Sequence, residues 1–329
     1  MFSDCDAVLL LHTEQDEGVA LKYLTDYQGD FAYGVFFPGR KKPQVFVSSL
    51  ESLPRSTTIS YQHLTKRGQI KEVLLKAKVK TLGLCFSEVS KQTYDTLKKA
   101  FRGIKFVDVS KQLRAKREIK TKEEMRRTKE AVRLTEKLFE EAFALLPKVR
   151  YEKEVEQYLR KRMIELGVEP SFDPIVATGW HSKAPHYQAS DRSLVLDGFC
   201  ILDMGVKYKG YCSDMTRTVY IGTPSAAEKK IYKTILHELQ VIEQHVHAGV
   251  REIETSFPMI HALGHGIGRE VHEAPFLGHE ELHKDMLIAI EPAQYWGKGG
   301  IRIEDNYVVQ EKKLVRIGKS SRRLRIITR

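Results

Sequence analysis

The sequence predicts an α+β protein in two parts, a small α/β unit followed by a larger unit that mixes long helices with β-hairpins. Three observations carry this reading. Over the first third, apolar runs of strand length alternate with segments of helical spacing. Between Leu113 and Lys120 a charged run interrupts the alternation. Beyond it, three long helical patterns are separated by short strands that pair across turns. The 329 residues suit about two domains at roughly 150 residues each.

In order, Ala7 to His12 reads as a short apolar strand and Gly18 to Leu24 as a helix. Asp30 to Phe37 follows, then the turn pair Pro38-Gly39 and a strand from Gln44 to Ser48. Ile70 to Ala77 is helical, Thr81 to Cys85 a strand, Ser90 to Ala100 an amphipathic helix, and Ile104 to Val109 a last strand. In the second part Met125, Ala131, Leu134, Leu138, Ala142 and Leu145 recur at helical spacing until Pro147 ends the run. Further helices are expected from Glu152 to Leu166, stopped by Gly167, and from Ala226 to His247, before Gly249. Strands are expected at Cys200 to Met204, Thr216 to Ile221, Leu287 to Ile290 and Ile301 to Val309.

Composition excludes several classes. With 42% hydrophobic and 29% charged residues the chain is neither disordered nor fibrous. The apolar run near the start, Ala7 to Leu11, is too short for a membrane span or a secretory core, and Asp4 and Asp6 give it the wrong flank. Cys5, Cys85, Cys200 and Cys212 form no C-x-x-C pair, so a reduced, cytoplasmic protein is expected. The net charge of +11 invites a nucleic-acid reading. The basic residues from Lys111 to Arg133, however, are interleaved with Glu118, Glu123, Glu124 and Glu130, as on a solvated helix face. The basic tail, Lys319 to Arg329, alternates Arg with Leu324, Ile326 and Ile327, as a closing strand would. Neither a nucleic-acid nor a membrane partner is expected.

Two hairpins and one histidine cluster carry the chemistry. A turn centred on Tyr208 and Lys209 would set Asp203 across from Asp214, and one centred on Gly297 and Lys298 would set Glu291 across from Glu304. Facing carboxylates are mutually destabilising. These lie beside Leu202, Met204, Ile290, Ile301 and Ile303, so burial must protonate them or match them with cations. Four negative charges are balanced by two divalent ions. Between the hairpins lies His261-Ala262-Leu263-Gly264-His265-Gly266-Ile267-Gly268, continuing to His272. Ala262 stands where a zincin helix carries its general-base Glu, and Gly264 and Gly266 oppose a helix, so close backbone approach to a site is expected instead. Carboxylates beside imidazole suit Mn, Fe, Co or Zn.

The runs LDMGVKYKGYCSDMTRT, HALGHGIGREVHEAP and EPAQYWGKGGIRIED resemble the ordered signature of the Xaa-Pro peptidases, prolidase and aminopeptidase P. PHYQAS resembles the substrate-side histidine motif of that family, and YLTDYQGD its creatinase-type N-terminal domain. The resemblance implies a creatinase-type α/β domain over 1–116 and a pita-bread (creatinase/aminopeptidase-like) metallopeptidase domain over 117–329. It implies Asp203, Asp214, His265, Glu291 and Glu304 as ligands of two divalent metals, most naturally Mn(II), with Co(II), Fe(II) or Zn(II) as alternatives. Asp214 and Glu304 would bridge the ions. His186, His261 and His272 would line the substrate side, while Tyr295 and Arg302 would steady ligands from behind and help hold substrate. A metal-bridging hydroxide would attack the carbonyl before proline, with His186 or His272 stabilising the oxyanion and Glu291 moving the proton. A homodimer is implied by the same resemblance.

Two departures stand out. Ala293 replaces the glycine the family commonly has after Glu-Pro, and the interval from Asp214 to His265 is about a dozen residues short, around Val250 to Pro258. Methionine aminopeptidase shares the fold and ligand types, but its two Glu ligands stand farther apart and it usually lacks the N-terminal domain. A metal-free creatinase-type hydrolase would lack the ligand set. A non-catalytic binding protein on the same scaffold remains the alternative from another class.

Overall fold

A computed structural model describes residue 2 and residues 4–39, 42–66 and 68–328, so Arg329 at the end of the basic tail lies outside it. The chain separates into two compact units, 1–117 and 118–329.

The first unit alternates β1 (Ala7–His12), α1 (Val19–Thr25), β2 (Ala32–Phe36), β3 (Gln44–Ser48), β4 (Ser60–Leu64), α2 (Gln69–Lys76), β5 (Thr81–Leu84), α3 (Lys91–Ala100) and β6 (Lys105–Asp108). Its strands form one sheet in the order β4-β3-β2-β1-β5-β6. β1 is central, antiparallel to β2 and parallel to β5, so it is apolar on both faces. Val8 and Leu10 join a core with Leu21 of α1, while Ala7, Leu9 and Leu11 join another with Leu74 of α2 and Leu97 of α3. β4 escapes the sequence reading because its SYQHL is polar and only partly buried. The charged run expected as a bare boundary forms a helix, α4 (Ser110–Glu118), anchored by buried Leu113.

The second unit opens with α5 (Lys122–Leu145), started by a capping box in which Thr121 and Glu124 satisfy each other's backbone N–H. A single 3₁₀ turn (Leu146–Lys148) carrying Pro147 ends it. α6 (Glu152–Glu165), β7 (Glu169–Pro170), β8 (Ile175–Thr178) and a second 3₁₀ turn (Gly179–Lys183) follow. Then come β9 (Gly198–Met204), β10 (Val206–Tyr208), β11 (Tyr211–Cys212), β12 (Met215–Ile221) and α7 (Ala226–His245). The chain finishes through β13 (Gly264–Gly266), β14 (Glu273–Phe276), β15 (Leu287–Ile290), β16 (Ala293–Trp296), β17 (Gly299–Arg302), β18 (Asp305–Val309), β19 (Leu314–Arg316) and β20 (Ile326–Ile327). β20 pairs with β12, so the basic tail does close a sheet.

Two sheets organise this unit, β20-β12-β9-β8 and β14-β13-β15-β18-β19. Strand alternation decides what faces the site. Cys200, Leu202 and Met204 of β9 pack with Leu138 and Phe139 of α5 and Leu159 of α6. Asp203 therefore points the other way, with Thr216 opposite it on β12. α7 covers a second core with Ile288 and Ile290 of β15 and Tyr307 of β18. Residues 246–263 cross from α7 to β13 without a helix or strand. This is where the interval looked short.

Two expectations need correction. Asp203 faces Thr216, not Asp214, because the hairpin turns on Lys209-Gly210 and not on Tyr208-Lys209. Both turn residues have positive φ, 47° and 78°, a two-residue loop geometry that Tyr208 at the first position would resist. The slip is two residues, so the face is preserved. The strand expected from Ile301 to Val309 breaks at Ile303-Glu304, where Ile303 N–H donates to Pro292 O and Glu304 N–H to Thr216 O. The second hairpin has the expected register, Ala293 opposite Arg302 and Trp296 opposite Gly299. Its continuation pairs Ile290 with Asp305.

Because the first hairpin depends on two left-handed residues, Lys209→Asn, which creates the favoured Asn-Gly turn, is expected to raise the unfolding free energy by roughly 0.5–1 kcal/mol. Urea denaturation measures this, and a loss of stability would contradict the register.

Candidate metal centre

The four acids and His265 reach one cavity of about 310 Å³, each from a differently built position. Asp203 comes from the inner face of β9. Asp214 lies in the irregular link between β11 and β12, held by Asn306, whose side chain accepts from Asp214 N–H (3.1 Å) and donates to Asp214 O (2.7 Å). Glu304 occupies the break between β17 and β18. Glu291 follows β15, its N–H bonded to Leu263 O (2.9 Å). His265 is the middle residue of β13, and its flanking glycines have a steric cause. A Cβ on Gly264 would lie 2.1 Å from Ala289 O, and one on Gly266 2.2 Å from Ala274 O. Ala293, where the resemblance implies glycine, sits in a β-strand without positive φ, so its backbone does not require glycine.

The donor atoms converge. One oxygen each from Asp203, Asp214 and Glu304 lie within 4.8 Å of one another, as do donor atoms of His265, Glu291 and Glu304, and of Asp214, His265 and His272. His265 Nδ1 donates to Gly266 O (3.1 Å), which turns Nε2 to Asp214 (3.6 Å) and Glu291 (3.8 Å). Asp203 Oδ1 and Glu304 Oε1 are buried without a hydrogen-bond partner. Two orphaned carboxylate oxygens in a buried cluster of acids fit a divalent cation site.

Electrostatics point the same way. Among the described residues that line the cavity, Arg302 is the one permanent cation. Its Nη2 meets Asp203 Oδ2 (2.5 Å), its Nε the Thr216 hydroxyl (3.0 Å), and its Nη1 the Tyr295 hydroxyl (2.7 Å). Burial still raises the Asp203 carboxyl against the pull of Arg302. Asp214 and Glu304 are raised well above the carboxylate range, by burial first and then by their acidic neighbours. Glu291 is pushed up to about 7, mainly by burial. The His265 imidazole is pushed down to about 4 by burial and then by His272, so it stays neutral and free to ligate.

The residue after Glu304 shows the opposite behaviour. Asp305, buried on the reverse face, meets Arg217 (2.7 Å), Arg316 (3.0 Å) and Arg322 (2.5 Å). Burial acts to raise it, but the three guanidiniums bring it below the usual range. The chain thus supplies cations to one face of the strand and leaves the other short of them.

His186, His261 and His272 also line the cavity, with Phe172, Ile175, Val271 and Phe276 supplying apolar wall. Tyr295 stands behind, its hydroxyl between Arg302 and His261 Nε2 (3.0 Å). Glu273, beside His272, is buried and paired with Lys120 at 2.8 Å. Sequence reasoning passed over Thr216, whose hydroxyl donates to Glu304 Oε2 (2.8 Å), and Asn306. Alternation across DMTRT was the available signal for Thr216, and Asn306 had none.

The profile of Metallopeptidase family M24 matches residues 126–311, and that of the Creatinase/Prolidase N-terminal domain matches residues 3–119. An Xaa-Pro dipeptidase of Pyrococcus furiosus is 34% identical over 238 residues, 67% of this chain and 68% of that protein. Among solved structures, an X-Pro aminopeptidase from Thermotoga maritima MSB8 superposes with a TM-score of 0.89 at 26% identity, covering 98% of this chain and 97% of the other. An Xaa-Pro dipeptidase from Bacillus anthracis gives 0.86, also at 26% identity, covering 98% and 95%. No described helix is long and apolar enough to cross a membrane.

Raised carboxyl values mean that the folded, metal-free chain holds protons the unfolded chain releases. That contribution is complete below the ordinary carboxyl value and is lost as pH rises through the raised one, for Glu291 from 4.5 to about 7. The down-shifted histidines act in the opposite sense around pH 6.5, where the unfolded chain still half-protonates them, and by about pH 7.5 they are neutral in both states and no longer oppose it. The thermal unfolding midpoint in chelator is therefore expected to fall from about pH 7.5 to about 8.5, as the carboxyls raised furthest give up their protons, and added Mn(II) to remove most of that slope. A metal-free midpoint that rises over this range would contradict the assignment.

Proposed function

The chain belongs to metallopeptidase family M24, and we propose that it is an exopeptidase that hydrolyses the peptide bond before proline, in Xaa-Pro dipeptides or at the N-terminus of Xaa-Pro peptides. The observation that carries this is the convergence of Asp203, Asp214, His265, Glu291 and Glu304 on one cavity whose charge the protein itself does not balance. The similar proteins, Xaa-Pro dipeptidases and an X-Pro aminopeptidase, supply the substrate class.

In this reading those five residues hold two divalent ions, most naturally Mn(II), since four oxygen donors and one imidazole suit a hard to borderline cation. Asp214, Glu304 and His265 each belong to two of the three donor groups, and of these only the two carboxylates have a second donor oxygen to offer a second ion. When bound, the ions supply a water acidic enough to attack near neutral pH and positive charge at the substrate carbonyl. The residues do the rest. Glu291 takes the proton of the attacking water and delivers it to the proline nitrogen as the C–N bond breaks, which converts a poor leaving group into a neutral amine. His186 or His272, on the open side of the cavity, donates to the carbonyl oxygen as it gains charge. The chain of bonds from His261 through Tyr295 and Arg302 to Asp203 and Thr216 fixes the orientation of these groups before substrate arrives. The X-Pro nitrogen bears no hydrogen, so recognition falls to ring shape, and Phe172, Ile175 and Phe276 provide an apolar wall for it.

The match of residues 3–119 to a Creatinase/Prolidase N-terminal domain and the short stretch of chain between Glu291 and Glu304 favour this over methionine aminopeptidase. The complete set of acids favours catalysis over a binding protein on the same scaffold.

Purified protein is expected to contain Mn(II)-type divalent metal and to hydrolyse Gly-Pro, Ala-Pro or an Xaa-Pro peptide with stimulation by added Mn(II). Glu291→Gln is expected to keep the fold and lower kcat by about 10³-fold or more. Undiminished turnover in that variant would remove Glu291 from the mechanism, and the absence of Xaa-Pro hydrolysis from metal-loaded protein would overturn the assignment.

A further inference from the structure

Behind the cavity lies a buried polar cluster that the reaction does not use. Glu152, the first residue of α6, is fully buried. Its Oε1 accepts from Thr178 N–H (2.7 Å), the Thr178 hydroxyl (2.6 Å) and His181 Nδ1 (2.8 Å), and its Oε2 accepts from the Tyr187 hydroxyl (2.8 Å). The His181 and Tyr187 rings stack at 4.8 Å with planes 12° apart. Four donors, the His181 ring among them, and the positive end of α6 converge on this carboxyl group.

What this cluster holds is the segment that carries His186. After the 3₁₀ turn Gly179–Lys183 the chain runs without regular structure to β9, and His186 projects from it as an exposed residue of the cavity wall. The turn is tied to β17, because the Ser182 hydroxyl accepts from Gly300 N–H (2.8 Å) and donates to Gly179 O (2.6 Å). On one side of His186, Pro185 O accepts from Arg302 Nη1 (3.4 Å). On the other, the Tyr187 hydroxyl reaches Glu152. An imidazole on irregular backbone is thus gripped at both adjacent residues, one grip coming from the arginine that also holds Asp203.

We propose that Glu152, His181 and Tyr187 are positioning residues that set where His186 meets the substrate, with the Tyr187–Glu152 hydrogen bond as the link that transmits the position. The proposal rests on the reading that His186 contacts the reacting peptide. An imidazole displaced by a fraction of an ångström loses its bond to the carbonyl oxygen as charge develops there, although the metal ligands stay in place.

A double-mutant cycle on the Mn(II)-loaded enzyme tests it, with His186→Ala, Tyr187→Phe and the pair assayed on Ala-Pro. Tyr187→Phe keeps the ring stack and removes only the hydroxyl's bonds to Glu152 and to the Ser190 hydroxyl (3.0 Å). It thus spares the fold where Glu152→Gln would disturb four bonds, and Ser190→Ala, expected to leave kcat/KM unchanged, separates the two. His186→Ala is expected to lower kcat/KM, Tyr187→Phe to lower it by about tenfold with metal content unchanged, and Tyr187→Phe to add nothing once His186 is gone. If His186→Ala is impaired but Tyr187→Phe either has no effect or adds its full effect in the double variant, the positioning role is overturned and the peptidase reading stands. If His186→Ala is as active as the parent, His186 has no catalytic part and the positioning role falls, while the peptidase reading stands on the parent's activity. That reading would fall only if the metal-loaded parent did not cleave Ala-Pro.

Discussion

Negative charge buried without a protein counter-charge is the constraint on which the rest of this structure depends. Asp203, Asp214, Glu291 and Glu304 share one cavity with a single guanidinium, and that guanidinium is committed to Asp203, Thr216 and Tyr295. Each desolvated carboxylate left unpaired costs several kcal/mol, a burden a marginally stable domain does not carry without return. The neighbouring pair Glu304 and Asp305 states the matter locally. Asp305 receives three arginines and is held ionised below the usual range, whereas Glu304 receives one hydroxyl and is pushed above it. A chain rich in Arg and Lys has cations to spend, and it places them on the reverse face.

The fold serves that asymmetry. The face of β9 and β12 that meets α5 and α6 is apolar at Cys200, Leu202 and Val219, so the alternate residues Asp203 and Thr216 turn inward. The break at Ile303-Glu304 has the same effect by another route, passing the chain from one hairpin to the neighbouring sheet while aiming Glu304 at Thr216. Backbone contact too close for any side chain holds His265 between Ala289 and Ala274. Around this rigid centre the substrate-side histidines sit on less regular backbone, at His186 after the 3₁₀ turn and at His261 in the crossing from α7. Regular, closely packed backbone is concentrated where charge must be matched, and irregular chain carries the histidines on the side proposed to meet substrate.

Much of this was legible in the sequence, and the reasons differ from part to part. The second hairpin was readable because Gly297-Lys298 allows one tight turn, and from it the placement of Glu291 and Glu304 follows. The first was misread by two residues because Lys209, a non-glycine residue, takes a left-handed conformation that sequence alone does not favour. The side-chain face survived the error, since a slip of two leaves alternation intact. The long helices announced themselves by spacing and by the Pro and Gly residues that follow them, while β4, with no buried apolar face, did not. Asn306, the Asp305 arginines and the Glu152 cluster were invisible for one reason. Each joins residues remote in sequence, and nothing local to Glu152 distinguishes it from a surface acid at the start of a helix.

The central claim is that this cavity is completed by cations from solution. Anomalous scattering from a crystal grown with manganese tests it most directly. Two strong peaks are expected, both within coordination distance of Glu304 and Asp214, with Asp203 on one side and His265 and Glu291 on the other. Density without such peaks, with the four carboxyl groups bonded to one another as protonated pairs, would contradict the account.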